Sequence, residues 1–498
     1  MARHFALLAL AFSLTTHVIA QPLQNHSLPV GLTRSYRAFD LGVGNSAYIA
    51  DRAFGFDSSR VELLWTDASQ TTVNAVSRRL VYPYAFLNDA VKLDDGYLLG
   101  GGNYSSLTTL PFLFKTDLSG AVSWYAHFDN FGDFDQDQIV ALLSRGNAFT
   151  AYSYKGGTYD NHIYRVDGVP NGTAYTGQRI AANSQFRVYA AMATADPLRH
   201  LLGGSGTPST APGNLHALLM MVGGVDAPWI KHYDMGSDFT EDIYGLTATA
   251  DGNYVVCGYA TSAGSFYGLL MKIDPTGNVL WCRKLEDISG GLQLSAVREL
   301  GDGSLLVCGT NGDYDGALAK LDANGNPLWA RQFPDDRLSR FTTSGGTLLA
   351  CGAYSRIELN DEGVGCGFNE VANLSATPLN PTVVDMALTV TAFAPTTTAL
   401  TSQARTPELD FSAGCIWSGV EEHSKLQRLS LYPVPSEGHV FIAGDAVRAG
   451  DAVLVRNLMG QEVQRATYRD GLDLTALPSG SYMLEVLRTG AYGPVVRR

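Results

Sequence analysis

The chain has 498 residues, of which 45% are hydrophobic and 17% are charged, and its formal net charge is −13. This length and apolar content suffice for several folded domains, so general disorder is excluded. The acidic balance argues against a nucleic-acid partner, because phosphate binding needs an excess of Lys and Arg along one surface.

Residues 1–20 have the pattern of a secretory signal peptide. A short basic start with Arg3 and His4 precedes the apolar run FALLALAFSL, and small residues lead up to Gln21. The run is too short for a mature membrane helix, and no later stretch reaches the ~18 apolar residues that a spanning helix requires. We therefore expect cleavage after Ala20, export, and no transmembrane segment.

An eight-residue phrase recurs along the chain: DLSGAVSW at 117–124, DPTGNVLW at 274–281 and DANGNPLW at 322–329. Three apolar runs precede each of the last two copies, separated by an Asp-Gly turn and by a loop rich in Gly, Ser and Tyr. The fourth run carries the Trp. One repeat therefore predicts four antiparallel strands in about 50 residues.

The repeat can be counted from the residue before the Gly that ends the second run. This marker falls at Ile49, Gly100, Ala151, Gly203, Cys257, Cys308 and Cys351, of which Ile49 and Ala151 are placed by register alone. Four short strands cannot bury both faces, so such units must stack, and radial stacking protects most strand edges. The sequence predicts an all-β chain with a seven-bladed β-propeller over residues 33–370; the short last unit leaves six or eight blades as alternatives.

The aromatic and thiol residues of the repeat are interpreted as packing residues. Trp124, Trp229, Trp281 and Trp329 recur at one position of the fourth run, where large aromatic residues fill the space between blades. Cys257, Cys308 and Cys351 are expected to be small buried side chains, too far apart for disulfides. Cys366 and Cys415 lie after the last blade and are the candidate disulfide in an oxidising compartment.

Residues 371–425 are rich in Thr, Ala and Pro and predict an irregular β linker. Residues 426–498 predict a small β-sandwich of short strands. Within it, LYPVPSEGHVFI, VRNLMGQEV and LDLTALPSGSYMLEV resemble the three successive motifs of the type A C-terminal sorting domain of the bacterial type IX secretion system. By this resemblance the signature positions are Pro433, Pro435, Gly438, Gly460, Leu477, Pro478, Gly480 and Tyr482.

The resemblance implies an export route and a partner. It implies passage through the periplasm, recognition of the sorting domain by the type IX secretion machinery, and a destination outside the cell or on its outer surface. The propeller repeats also resemble those of other exported cargo, which implies a fold only.

No metal-protease helix, phosphate loop or nucleophile elbow occurs in the sequence. The leading hypothesis is a non-enzymatic binding or adhesion protein without a cofactor. One alternative is a secreted hydrolase or lyase with a site assembled from several blades, for which five histidines are candidates; the other is a structural surface-layer component. The five are His127, His162, His200, His216 and His232.

A four-stranded meander places the second loops and the connections between blades at one end, which we name the upper face. Tyrosines of the second loops and acids of the connections are the candidate site for a glycan or peptide ligand. These residues are Tyr104, Tyr154, Tyr159, Tyr259, Asp133, Asp135, Asp137, Asp238 and Asp242. Asp133, Asp135 and Asp137 are also candidate ligands for Ca²⁺.

Overall fold

A computed structural model describes most of the chain. The described residues are 23–27, 33–42, 45–53, 59–66, 72–80, 84–104, 109–129, 137–155, 160–169, 174–209, 214–236, 240–262, 264–286, 291–334, 336–344, 347–352, 355–360, 363–365, 367–371, 374–405, 407, 412–417, 429–443, 447–457, 462–488 and 491–498. All named elements within them are β-strands, which confirms the predicted all-β class. In these ranges no helix is long and apolar enough to cross a membrane.

The chain begins with β1 (Leu23–Ser27) and continues with consecutive four-stranded meanders. Sheet 1 contains β2 (Thr33–Gly42), β3 (Asn45–Ala53), β4 (Ser59–Thr66) and β5 (Thr72–Leu80). Sheet 2 contains β6 (Tyr84–Leu93), β7 (Gly96–Tyr104), β8 (Thr109–Asp117) and β9 (Val122–Phe128). Sheet 3 begins with β10 (Asp137–Arg145), β11 (Ala148–Lys155) and β12 (Asp160–Gly168).

One long strand joins two sheets. The first part of β13 (Tyr175–Ala193) pairs with β12 and completes sheet 3, whereas residues 184–193 pair with β14 and open sheet 4. Sheet 4 continues with β14 (Arg199–Pro208), β15 (His216–Gly223) and β16 (Trp229–Asp234). The connection from the third repeat to the fourth is therefore continuous strand rather than a loop.

The remaining sheets repeat the pattern. Sheet 5 contains β17 (Glu241–Ala248), β18 (Tyr254–Ser262), β19 (Ser265–Ile273) and β20 (Val279–Glu286). Sheet 6 contains β21 (Gln293–Glu299), β22 (Leu305–Thr310), β23 (Gly316–Leu321) and β24 (Pro327–Phe333). Sheet 7 contains β25 (Leu338–Ser344), β26 (Thr347–Gly352) and β27 (Ser355–Leu359), and β1 pairs with β27 as its fourth strand.

The first strands of the seven sheets contact one another in a closed cycle. β2 contacts β6, β6 contacts β10, β10 contacts β13, β13 contacts β17, β17 contacts β21, β21 contacts β25, and β25 contacts β2. The apolar clusters lie between neighbouring sheets: one joins sheets 4 and 5 through Leu219 and Val256, and another joins sheets 6 and 7 through Leu318 and Ile357. The core is thus shared among sheets, because no single four-stranded sheet encloses one.

Residues 371–425 were expected to be an irregular β linker, and their described part consists largely of short strands on the outer edges of the seven sheets. We name residues 369–417 the strap. Its strands are β28 (Asn369–Val371), β29 (Ser375–Pro378), β30 (Thr382–Met386), β31 (Leu388–Phe393), β32 (Thr397–Ala399), β33 (Ser402–Arg405) and β34 (Ser412–Trp417).

The strap visits the sheets in reverse order. β28 pairs with sheet 6, β29 with sheet 5, β30 with sheet 4, β31 with the sheet 3 part of β13, β32 with sheet 2 and β33 with sheet 1. β34 then pairs with β1 of sheet 7, so both end strands of this unit meet in one sheet. Each sheet gains a fifth antiparallel strand, which covers an edge that would otherwise expose unpaired backbone groups.

The repeated phrase forms one kind of turn. Asp274 Oδ1 accepts hydrogen bonds from the backbone N–H groups of Thr276 and Asn278, and Gly277 has φ +82°. Asp117 and Asp322 cap the equivalent turns in the same way. Asn360 begins a further copy, with its Oδ1 accepting from the Val364 N–H group. Asp and Asn occupy this position because a short side-chain acceptor reaches the backbone two to four residues on.

The predicted roles of the tryptophans and thiols agree with the structure. The Trp124 ring lies 6.4 Å from the rings of both Phe149 and Tyr175 in the next sheet. Cys257, Cys308 and Cys351 are buried free thiols, as is Cys282, whose pKa burial raises to about 12. The candidate disulfide lies outside what is described, because Cys366 and the Cys415 side chain are not among the described groups.

The marker residues occupy equivalent register positions in five sheets. Gly100, Gly203, Cys257, Cys308 and Cys351 each pair with the residue that follows a bulge in the first strand. In sheet 3 this position belongs to Tyr152 rather than Ala151, so the expected register was one residue early. Ile49 pairs with Arg37, which does not follow either of the two register shifts in the ladder between β2 and β3. Neither Ile49 nor Ala151 precedes a Gly, so the sequence had no marker that fixed the register at these two positions.

The chain divides into two compact units after Ser418. The second unit contains β35 (Ser430–Tyr432), β36 (His439–Ala443), β37 (Ala452–Asn457), β38 (Glu462–Thr467), β39 (Leu472–Asp473), β40 (Gly480–Val486) and β41 (Ala491–Arg497). They form a three-stranded sheet, β35–β36–β39, and a four-stranded sheet, β38–β37–β40–β41. Val440, Leu472, Val453 and Leu484 are buried in one apolar cluster shared by both sheets.

Candidate functional site

A cavity of about 790 Å³ lies where the first strands of the seven sheets come together. Every one of β2, β6, β10, β13, β17, β21 and β25 contributes at least one residue to its lining, and we name it the central cavity. Because first strands begin at the upper face in this meander, residues near their starts lie at the upper mouth of the cavity.

Bulges determine which side chains line the central cavity. In six of the sheets one residue of the first strand is left without a partner in the ladder; these residues are Asn88, Val140, Tyr189, Tyr244, Ser295 and Ser339. All but Asn88 line the cavity. A bulge re-aims the side chain at its position, which is why bulges are common beside binding sites.

Three tyrosine rings stack at the boundary between sheets 4 and 5. The ring centroids of Tyr189 and Tyr244 are 4.7 Å apart with an interplanar angle of 16°, and those of Tyr244 and Tyr259 are 5.8 Å apart at 10°. Phe266 closes the row edge-on to Tyr259 at 5.3 Å. Tyr244 is 37% exposed, so the row presents an accessible aromatic edge at the mouth of the cavity.

Asp242 lies beside this aromatic row. It is buried and pairs in register with Tyr259. Burial raises the pKa of the Asp242 carboxyl; hydrogen bonds from Ser205, Tyr259 and Tyr244 and the charge of Arg187 offset part of this rise. Its Oδ1 atom has no hydrogen-bond partner among the described residues. The carboxyl therefore retains an acceptor that a ligand hydroxyl or amide could use.

The other predicted ligand residues are only partly described. Tyr104 and Tyr154 lie near the upper ends of β7 and β11, as expected, but only their backbones are described. Asp137 is buried at the start of β10. Tyr159, Asp133, Asp135 and Asp238 lie outside the described residues, so the structure brings together Tyr259 and Asp242 alone from that set.

Two acids of the sheet connections are buried and accept hydrogen bonds from backbone N–H groups. Glu241 is buried, and its two carboxyl oxygens accept from the Met235 N–H and the Ala217 N–H groups. Asp336 is also buried and accepts from the Ser355 N–H group. Within the described ranges no group of three or more His, Cys, Asp or Glu residues could hold a metal ion, and two of the Ca²⁺ candidates fall outside those ranges.

The candidate histidines are dispersed over sheets 2 to 4. His127 Nε2 lies 2.7 Å from Asp129 Oδ1, and His200 Nδ1 lies 2.6 Å from the Tyr152 hydroxyl. The rings of His216 and His232 are 6.4 Å apart, and burial lowers the pKa of His232 to about 4. None of the five lines the central cavity.

Sequence reasoning missed Tyr189, Tyr244 and Arg187, because they lie on first strands rather than in loops. A signal was present: Tyr189 and Tyr244 are separated by about one repeat and occupy the same register position. Aligning the first strands as well as the turns would have shown them.

The signature positions of the second unit have structural roles. The Leu474 N–H group donates to the Gly438 carbonyl at 2.6 Å, which joins the first motif to the third. The Tyr482 hydroxyl donates to the Pro478 carbonyl at 2.7 Å, and Leu477 is buried. Pro433 and Pro435 both follow cis peptide bonds, and Gly480 opens β40. Gly460 lies outside the described residues.

Residues 430–492 match the family of secretion system C-terminal sorting domains, which confirms the resemblance drawn from the three motifs. A comparison of the whole sequence with curated proteins finds no match. Among solved structures, Sqt1 from Chaetomium thermophilum is similar over 70% of this chain and 100% of its own, with 10% identity and a TM-score of 0.36.

Two further solved structures show weaker similarity. Cobalt-substituted Synechocystis ACO is similar over 71% of this chain and 65% of its own, with 10% identity and a TM-score of 0.29. A mutant of the Bombyx mori GH32 beta-fructofuranosidase in complex with sucrose is similar over 75% of this chain and 93% of its own, with 10% identity and a TM-score of 0.24. Scores this low carry no functional conclusion for this chain.

Proposed function

Starting from the fact that residues 430–492 are the C-terminal sorting domain of a type IX secretion cargo, we propose that the first unit is a seven-bladed β-propeller that binds a ligand without transforming it. The sorting domain directs the protein to the secreted or cell-surface compartment and implies interaction with the type IX secretion machinery. The ligand-binding part of the exported protein is then the first unit, which ends at Ser418.

The seven-bladed propeller is supported by the closed cycle of first strands and by the central cavity that all seven line. Completion of sheet 7 by the N-terminal strand β1 also supports it, because such pairing joins the two ends of a ring. Seven repeats of four strands account for the sheets in the described part of this unit, with β13 shared between sheets 3 and 4.

Ligand binding is supported most strongly by one observation, the partnerless Oδ1 atom of buried Asp242 beside the exposed edge of Tyr244. A buried acceptor without a donor costs free energy in the empty protein, and a bound hydroxyl or amide would relieve that cost. Tyrosine rings supply flat apolar area at low entropic cost, which suits a sugar ring or a peptide side chain. The ligand class we propose is therefore a glycan or peptide.

A hydrolase or lyase is less well supported. Hydrolysis of glycosides by the usual mechanism requires two available carboxyl groups. Of the carboxylates that line the central cavity, Asp89 accepts from the Leu142 N–H group at 2.8 Å and Glu299 from the Ala250 N–H group at 2.7 Å. Each accepts a hydrogen bond from a backbone N–H group, and Asp242 is the buried acid beside the aromatic row. A surface-layer role would require self-assembly, for which no described feature argues.

The test is a binding screen of the folded protein against glycans and peptides, with turnover followed in the same wells. We expect binding without turnover, and loss of binding in Tyr244→Ala and Asp242→Ala. Tyr314→Ala is the matched control, because Tyr314 is 66% exposed on the second loop of sheet 6 and its ring contacts Arg337. Turnover would overturn the non-enzymatic proposal, and equal binding by all variants would exclude this site.

A further inference from the structure

Arg298 has an unusual environment for a charged side chain. It lies on β21, lines the central cavity and is partly buried. No described residue accepts a hydrogen bond from its guanidinium or forms an ion pair with it. Burial lowers the pKa of Arg298, as expected for a cation that loses water without gaining a partner.

The nearby carboxylates form no ion pair with this cation. Glu299 accepts from the Ala250 N–H group, and Asp89 accepts from the N–H groups of Ala90 and Leu142. Asp89 Oδ1 also lies 3.8 Å from Arg340 Nη1. An acidic protein with a net charge of −13 therefore keeps an unpaired guanidinium in its central cavity. A partly buried guanidinium without an ion-pair partner favours a ligand that supplies an acceptor.

Hydroxyl-bearing residues occupy the same level as Arg298 on the neighbouring strands. Arg298 is the third residue after the bulge at Ser295, Thr247 is the third after Tyr244, and Thr342 is the third after Ser339. Both threonines also line the cavity. At this position along the three strands, the cavity lining combines a bidentate donor with two hydroxyl-bearing residues.

We propose that the central cavity binds an oxyanion at Arg298: a carboxylate, sulfate or phosphate group, free or carried by a small ligand. The planar guanidinium matches two oxygens of such a group at once, and the cavity is large enough for a sugar-sized molecule. This site is distinct from the Asp242 mouth and does not depend on it.

Calorimetric titration of the folded protein at constant ionic strength tests the proposal with three probes: inorganic sulfate, glucuronate and glucose. We expect saturable binding of sulfate or glucuronate and none of glucose at the same concentrations. Binding of sulfate identifies a free-anion site, whereas binding of glucuronate alone identifies a carried carboxylate. Arg298→Gln should weaken the bound probe at least about tenfold, because it removes charge-assisted hydrogen bonds.

Arg405→Gln is the matched control, since Arg405 is exposed on the strap at the outer edge of sheet 1. It should leave affinity unchanged. Arg298→Lys keeps the positive charge but loses the planar pair of N–H donors. It should therefore fold, and bind the anion more weakly than the wild type, even if Arg298→Gln does not fold. The proposal is wrong when neither anion binds, or when both Arg298 variants bind as the wild type does.

Discussion

Gly277 in the turn of sheet 5 lies against Trp229 of sheet 4: a Cβ atom built on Gly277 would be 2.9 Å from Trp229 Cη2. The Trp229 Nε1–H group also donates to the Pro275 carbonyl of the same turn at 3.3 Å. The same relation recurs between successive sheets, in the pairs Trp65 with Gly120, Trp281 with Gly325 and Trp329 with Gly363. The repeated phrase thus supplies a Trp that packs against the turn of the next sheet and a Gly that leaves space for the Trp of the previous sheet.

Gly277→Ala should destabilise the first unit more than Gly252→Ala does. Both glycines have φ +82°, but a Cβ on Gly252 meets nothing within 4 Å. Gly252→Ala should cost about 1 kcal/mol of unfolding free energy from backbone strain alone. Gly277→Ala should cost a further ~1–3 kcal/mol, because the methyl group overpacks the Trp229 ring. Equilibrium unfolding in urea measures both, and equal losses would contradict packing between the sheets.

The turns could be predicted from sequence because their chemistry is local. Asp274 and Gly277 lie within one turn, so the phrase itself carries the side-chain cap and the positive φ. The pairing partner of that turn could not be predicted. Trp229 precedes it by about one repeat, and only the ring of sheets brings the two together.

Phe393→Ala should loosen the strap. Phe393 on β31 is partly buried, and its ring centroid is 4.8 Å from that of Tyr164 in sheet 3. We expect a loss of about 2 kcal/mol in unfolding free energy and faster amide exchange in β12 and the first part of β13. Val390→Ala on the same strand is the control, because Val390 is 39% exposed; its effect should stay within about 0.5 kcal/mol. Identical effects would mean that the strap is not packed on the sheets.

The strap illustrates what sequence patterns leave out. Its strands are short and mostly exposed, with β31 showing two partly buried residues at its ends, so they lack the alternation that marks a half-buried strand. Their partners are far away in sequence, as Ile230 pairs with Met386. The composition of residues 371–425 indicated β structure, but not which edges it would cover.

Asp242→Asn should stabilise the protein at neutral pH. Burial raises the pKa of Asp242, so its neutral form contributes stability below pH ~4, which is lost as the pH rises through the raised pKa. The variant stays neutral and avoids that loss, which amounts to about 1.4 kcal/mol for each tenfold decrease in the acid dissociation constant of the carboxyl on folding. Unfolding free energies of the two proteins should therefore agree at pH 3 and diverge above pH ~4.

Asp251→Asn should have the opposite effect on stability at neutral pH. A hydrogen bond from Lys272, followed by one from Thr249, lowers the pKa of Asp251. Its ionised form therefore contributes stability above its ordinary pKa, which is lost as the pH falls through the lowered value. This variant should be less stable than the wild type at pH 7 and equal to it in strong acid. The same direction of change in both variants would contradict the assigned environments.

Fractionation of cells that express the chain with and without residues 419–498 tests the account of an exported propeller most directly. The division after Ser418 leaves the first unit with its own core, so the truncated chain should fold. We predict that it accumulates in the periplasm in a protease-resistant form, while the full chain reaches the medium or the outer surface. Secretion of the truncated chain at the level of the full one would contradict the account.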